Sequence, residues 1–160
     1  MWKTKSLCCL LLLLSLCASV EAVEAKQPPP EILGVRLGMT KDEVRSRLEQ
    51  IAERRKEDRE GKKQQVWIVR DDPRIDYLMV RFNPQQQLVY MTAVVRRNAR
   101  MRYRDLADLK AAQRATDGSN YAYTWKVAAE STQPAYAVVA RGSNAKYLNA
   151  FSIYKLVAGR

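Results

Sequence analysis

Apolar positions in this chain fall into runs of three kinds. The first is continuous, covering 7–17 with leucine at every position from 10 to 14. The second has helical spacing. Val44, Leu48 and Ile51 stand at i, i+4 and i+7, a single apolar stripe on a helix. Thr40 followed three residues later by Glu43 predicts a capping box. Met39 before the cap and Val44 after it predict a hydrophobic staple, and Asp42 and Glu43 place negative charge at the positive end of the helix. The third kind is strand-like, at 66–70, 75–82 and 88–96, rich in β-branched and aromatic residues. The turns Asp71-Asp72-Pro73-Arg74 and Asn83-Pro84-Gln85-Gln86-Gln87 separate these runs and predict an antiparallel meander.

A second helix is expected over 102–115, where Tyr103, Leu106, Leu109, Ala112 and Gln113 roughly follow helical spacing before Asp117-Gly118 ends it. Three more strands follow, at 121–128, 135–141 and 147–157, the last two joined by Gly142-Ser143-Asn144. In the first of these, Tyr121, Tyr123, Trp125 and Val127 alternate with Ala122, Thr124, Lys126 and Ala128, the period of a half-buried strand. The expected fold is therefore α+β, with two helices packed on an antiparallel sheet of about six strands in the order α-βββ-α-βββ. The repeated order has no matching residue-level similarity between the halves. The stretch 53–65 lacks strongly apolar residues and reads as a solvated helix end running into a loop, or else as a binding arm.

The run at 7–17 changes this picture. Lys3 and Lys5 precede it, Val20-Glu21-Ala22 follows it, and it is shorter than the ~20 residues a membrane-spanning helix needs. These features predict a signal peptide over 1–22, cleaved after about Ala22, a periplasmic or secreted mature chain, and no transmembrane span in it. A tether over 23–31, containing Pro28-Pro29-Pro30, then leads into one domain at 32–160. Cys8, Cys9 and Cys17 all lie in the signal segment, leaving the mature chain without a disulfide. Leu16 stands where a lipoprotein signal has a small residue, which argues against lipid anchoring at Cys17.

Charge narrows the partners. Loss of Lys3, Lys5 and Glu21 takes the net charge from +11 to +10, which favours anionic partners, while export argues against nucleic acid. Five arginines (Arg96, Arg97, Arg100, Arg102 and Arg104) crowd the junction between the third strand and the second helix. They form one candidate binding cluster, because the guanidinium fork suits phosphate and carboxylate. The other candidate is the row Tyr121, Tyr123 and Trp125, with Tyr136, Tyr147 and Tyr154 in neighbouring strands. This row is either the core side of the sheet or an exposed protein-binding patch.

Catalytic equipment is sparse. The chain has no histidine, and its mature part has no thiol. Asp71, Asp72 and Asp76 are close in sequence, but Pro73 and Arg74 interrupt them and the spacing fits an Asp-Pro turn better than a calcium loop. Ser131, Ser143 and Ser152 sit in no Ser–Lys motif. We therefore expect no enzyme, no metal site and no cofactor.

The segment Ile32-Leu33-Gly34-Val35-Arg36-Leu37-Gly38-Met39-Thr40-Lys41-Asp42-Glu43-Val44 resembles the opening of the SmpA/OmlA family, small bacterial envelope domains related in fold to the beta-lactamase-inhibitor protein. The shared pattern is a short apolar segment, Gly-Met-Thr/Ser, two residues, Glu-Val, a helix and a meander, here covering 32–96. The resemblance implies an α+β fold without catalysis or cofactor that works by binding other proteins; in the family's best-known members the partner is outer-membrane assembly machinery. This chain departs from the pattern in having no glycine between Leu48 and Gly61, and in a second helix and three strands beyond the family's short domain. The function expected is binding of another envelope or secreted protein through the sheet. The alternative is docking on phospholipid, lipopolysaccharide or acidic glycan through the arginine cluster.

Overall fold

The computed structural model describes residues 26–55, 64–131 and 133–156. The expected signal peptide, its cysteines and most of the charged run after Arg55 lie outside these residues. Twelve elements organise the rest: β1 (Glu31–Ile32), β2 (Val35–Arg36), α1 (Lys41–Leu48), β3 (Ala52–Arg54), β4 (Gln64–Val69), β5 (Ile75–Phe82), β6 (Leu88–Val95), α2 (Tyr103–Leu106), β7 (Gln113–Asp117), β8 (Asn120–Val127), β9 (Tyr136–Gly142) and β10 (Ala150–Lys155). Short 3₁₀ turns at Arg97–Ala99 and Leu109–Ala111 flank α2.

β1 and β2 form a hairpin whose two-residue turn, Leu33-Gly34, has positive φ at both positions, the geometry that matches strand twist. The other eight strands make one antiparallel sheet in the order β3-β4-β5-β6-β10-β9-β8-β7. Each half is a helix followed by a four-strand meander, and the last strands of the two meanders, β6 and β10, pair at the centre. A half-turn about an axis normal to the sheet between β6 and β10 exchanges the two strand orders.

This corrects the expected α+β fold of six strands and two substantial helices. Among the described residues 50% are strand and 15% helix, so the domain is mostly β. The helix expected over 102–115 is only the four-residue α2, and Ala107 leaves helical geometry at φ −160°. Tertiary contacts fix that break: Asp108 donates its N–H to the Lys26 carbonyl at 2.9 Å, and its own carbonyl accepts the Trp125 indole N–H at 2.8 Å. Beyond the break the chain makes only the 3₁₀ turn Leu109–Ala111, and from Gln113 the expected helix is instead the start of β7, an edge strand exposed at every position. Ala52–Arg54, expected at the frayed end of α1, is likewise the opposite edge strand.

α1 starts as its sequence requires. Thr40 Oγ1 accepts the Glu43 N–H at 3.3 Å, and Glu43 Oε2 accepts the Thr40 N–H at 2.7 Å. That reciprocal bond holds the Glu43 carboxyl below its ordinary range, chiefly through the Thr40 backbone. Gly38, at φ +87°, turns the chain so that its N–H reaches the Leu88 carbonyl at 2.8 Å, while Leu88 returns a bond to Met39 at the same distance. The Gly-Met-Thr motif thus clips the start of α1 to the β5–β6 hairpin.

One face of the sheet is covered. Trp67, Leu78, Ala93, Phe151, Ala140 and Tyr123 are neighbours across β4, β5, β6, β10, β9 and β8. They share one core with Ile32 and Val35 of the hairpin, Val44 and Leu48 of α1, and Tyr103 and Leu106 of α2. Each large side chain removed from water here contributes about 1.5–3 kcal/mol. Residues 26–30, expected to stand clear as a tether, instead lie against this layer: Pro28 is buried and its carbonyl accepts the Tyr136 hydroxyl at 3.0 Å.

Candidate interaction surface

Because strand side chains alternate, covering one face of the sheet leaves the other set of residues on the opposite side. Cross-strand register arranges them in three rows. The first runs Gln64, Arg81, Tyr90, Tyr154, Ala137, Lys126. The middle row is Val66, Met79, Thr92, Ser152, Val139, Thr124, and the third is Ile68, Tyr77, Val94, Ala150, Arg141, Ala122. No described helix packs on this side; the core cluster draws its helical residues from the other.

The open face is neither a polar solvated surface nor a second core. Ile68, 47% exposed, is the large hydrophobic side chain most in contact with water among the described residues. Tyr77, Met79, Tyr90, Val94 and Tyr154 are half-buried. Tyr90 and Tyr154 stack with centroids 6.3 Å apart, and the Arg81 guanidinium lies 4.8 Å from the Tyr90 ring. At the centre, Ser152 Oγ is 2.8 Å from Thr92 Oγ1 and 3.2 Å from the Tyr90 hydroxyl. Burial raises the Tyr90 pKa, but these hydroxyls together with Arg141 and Arg81 outweigh it and leave the phenol below its ordinary value. The fixed charges of the three rows are Arg81, Arg141 and Lys126, so the face is electropositive.

The aromatic row, readable from sequence as either the core side or a binding patch, lies on the covered face. Tyr123 and Trp125 are buried under α2, with Tyr103 4.6 Å from the Tyr123 ring, and Tyr121 is half-buried on the same face. This row is core, as is Tyr136; Tyr154 alone of the grouped tyrosines belongs to the open face. Alternation along β5 carried the missed signal, since Tyr77, Met79 and Arg81 interleave with the buried Leu78, Val80 and Phe82.

The arginine cluster divides. Arg96 is fixed internally, donating to the carbonyls of Val69 at 2.6 Å and Asp72 at 3.2 Å and to Asp76 Oδ1 at 3.2 Å. Asp76 reaches it from the register shift between Ile75 and Tyr77, where the extra residue redirects a side chain. Arg102 lies 3.3 Å from Asp105, whose carboxylate also accepts the Arg102 N–H at 2.8 Å. Arg97, Arg100 and Arg104 are exposed and make no hydrogen bond among the described residues. Arg97 and Arg100, with Arg96, line a cleft of about 960 Å³ at the end of β5 and β6.

Of the acidic candidates, Asp76 is held by Arg96, Asp71 is exposed, and Asp72 organises the turn. Asp72 Oδ1 accepts the N–H groups of Arg74 at 2.7 Å and Ile75 at 3.0 Å. Burial raises its pKa, but these bonds and the Arg74 charge prevail and hold it below its ordinary value. Among the described residues no three His, Cys, Asp or Glu side chains gather as a metal site, and no helix is long and apolar enough to cross a membrane. No protein-family model, curated protein or solved structure matches this chain.

Proposed function

We propose that this protein is an exported, non-enzymatic binding domain that engages an acidic envelope or secreted protein through the open face of its sheet. The observation that carries the reading is that face: half-buried tyrosines and aliphatic side chains around Ile68, framed by Arg81, Arg141 and Lys126. Tyr and Arg dominate interface hot spots, and a patch without core on one side of a sheet gains most by being covered. Its positive charge selects an acidic partner. Lys3, Lys5, the apolar run at 7–17 and Val20-Glu21-Ala22 support export, and sequencing the mature N-terminus checks it, with Val23 expected first. The likeness of Gly38 to Val44 to the SmpA/OmlA motif also favours a binding role.

A photocrosslinking residue placed at Tyr90 tests the proposal in the producing cell. A discrete adduct is expected from Tyr90 and none from Arg45 on the exposed side of α1. The adduct should disappear when Ile68→Asp and Arg81→Glu are combined, with the thermal unfolding midpoint little changed. Equal adducts from both positions, or none from Tyr90, would overturn it.

A further inference from the structure

We infer that the cleft at the end of β5 and β6 is a binding site for an organic phosphate monoester. Two chain segments form its walls. One carries Arg97 and Arg100, and the other, between β9 and β10, carries Ser143, Asn144, Tyr147 and Asn149. The walls are tied together before any ligand arrives: Arg102 and Tyr147 bridge as a β pair, and Leu148 donates its N–H to the Met101 carbonyl at 3.0 Å. The second wall is braced internally, with Asn144 Oδ1 accepting the N–H groups of Lys146 at 2.9 Å and Tyr147 at 2.8 Å. A preformed pocket avoids the ordering cost that weakens binding by loose loops.

The lining selects the ligand. Arg96 is satisfied by Asp76 and two carbonyls, which also spends the one acidic side chain in the cleft. Arg97 and Arg100 are left as two cations without a hydrogen-bond acceptor in the described residues. Arg100 is held at φ +45°, a left-handed backbone state that is strained for a residue other than glycine. Two guanidinium forks match a group with charge near −2 and three acceptor oxygens, which a phosphate monoester carries at neutral pH and a carboxylate does not. Tyr77, Val94, Val95 and Leu148 supply an apolar surface beside the arginines, so an ester with a ring or short hydrocarbon body fits better than inorganic phosphate.

Titration calorimetry on the mature chain tests this site independently of any protein partner. Phenyl phosphate is expected to bind at least tenfold more tightly than either inorganic phosphate or benzoate. Arg97→Ser combined with Arg100→Ser should weaken it tenfold or more. Arg104→Ser, which removes one such charge from an exposed position outside the cleft, should change it less than twofold. Vesicles of phosphatidylcholine with and without phosphatidic acid identify the source: capture displaced by phenyl phosphate marks a lipid headgroup, and no capture beside phenyl phosphate binding marks a soluble ester, the cleft being the site in both. Absence of phenyl phosphate binding, or equal weakening by Arg104→Ser, overturns the proposal.

Discussion

The two halves of the sheet reach the same plan by different physics. In the N-terminal half, α1 is two turns long and capped by its own sequence, and it lays Val44 and Leu48 on the sheet. In the C-terminal half, α2 is a single turn. The capping residue before it, Arg102, has no side-chain acceptor to offer, so Asp105 supplies one side of a cap that is reciprocal in α1. Aromatic packing takes over there, through Tyr103 against Tyr123 and Trp125 pinned to Asp108. Local signals define the first half and long-range contacts the second.

The sharpest test of that contrast uses the two buried indoles, Trp67 in β4 and Trp125 in β8. Replacing either by alanine should cost about 3–5 kcal/mol, and urea unfolding should remain a single transition because both halves share one core. Two separate transitions would break the comparison by making each half its own folding unit. Phenylalanine separates the sites further. Trp125→Phe loses the bond to the Asp108 carbonyl, whereas Trp67 Nε1 is buried without a partner among the described residues, so Trp67→Phe removes no such bond. Trp125→Phe should be the costlier by about 1–3 kcal/mol. Next in size, Thr40→Ala should cost about 1 kcal/mol, and Asp105→Ala less, since α2 depends less on its cap.

The smallest effect concerns acid. Glu43 in the first half and Asp105 in the second are both held below their ordinary pKa, as is Asp72. For Asp105 burial acts upward but is outweighed by bonds from Arg102 and the charges of Arg102 and Arg104. Each folded-state value lies below its unfolded value of about 4, so the stabilisation is complete above that pH and is lost as pH falls through the folded value. The urea midpoint should be flat from about pH 7 to 5 and fall below about 4, and Asp72→Asn should shallow the fall. An unchanged slope in Asp72→Asn would remove Asp72 from the account.

The same contrast explains what could be read from the sequence. Thr40, Glu43 and the first two members of the stripe, Val44 and Leu48, are decided within a few residues, so the start of α1 was legible, whereas Ile51, the third member, lies beyond its end at Leu48. The central strands announced themselves by turns and alternation. β3 and β7 did not: Gln113–Asp117 is exposed on both faces and Ala52–Arg54 buries only Ala52, so neither edge strand carries an apolar alternation. The spacing of Tyr103, Leu106, Leu109 and Ala112 imitates a helix because all four meet the core layer, yet partners as distant as Lys26 and Trp125 break the chain between them. The arginine cluster was visible as composition, but only the fold shows that Arg96 and Arg102 are spent and that Arg97 and Arg100 share a cleft. The open face was hidden because one tyrosine-rich strand, β8, drew attention to the core side.

The central pairing of β6 with β10 sets the order in which the molecule can be completed. Strands β3 to β6 can assemble early from neighbours in sequence, but β6 then presents a raw edge until β10, far along the chain, inserts between it and β9. Closing that seam is the most non-local strand pairing in the sheet and therefore the slowest of them to form, and until it closes the half-built sheet is open to pairing with a stray strand.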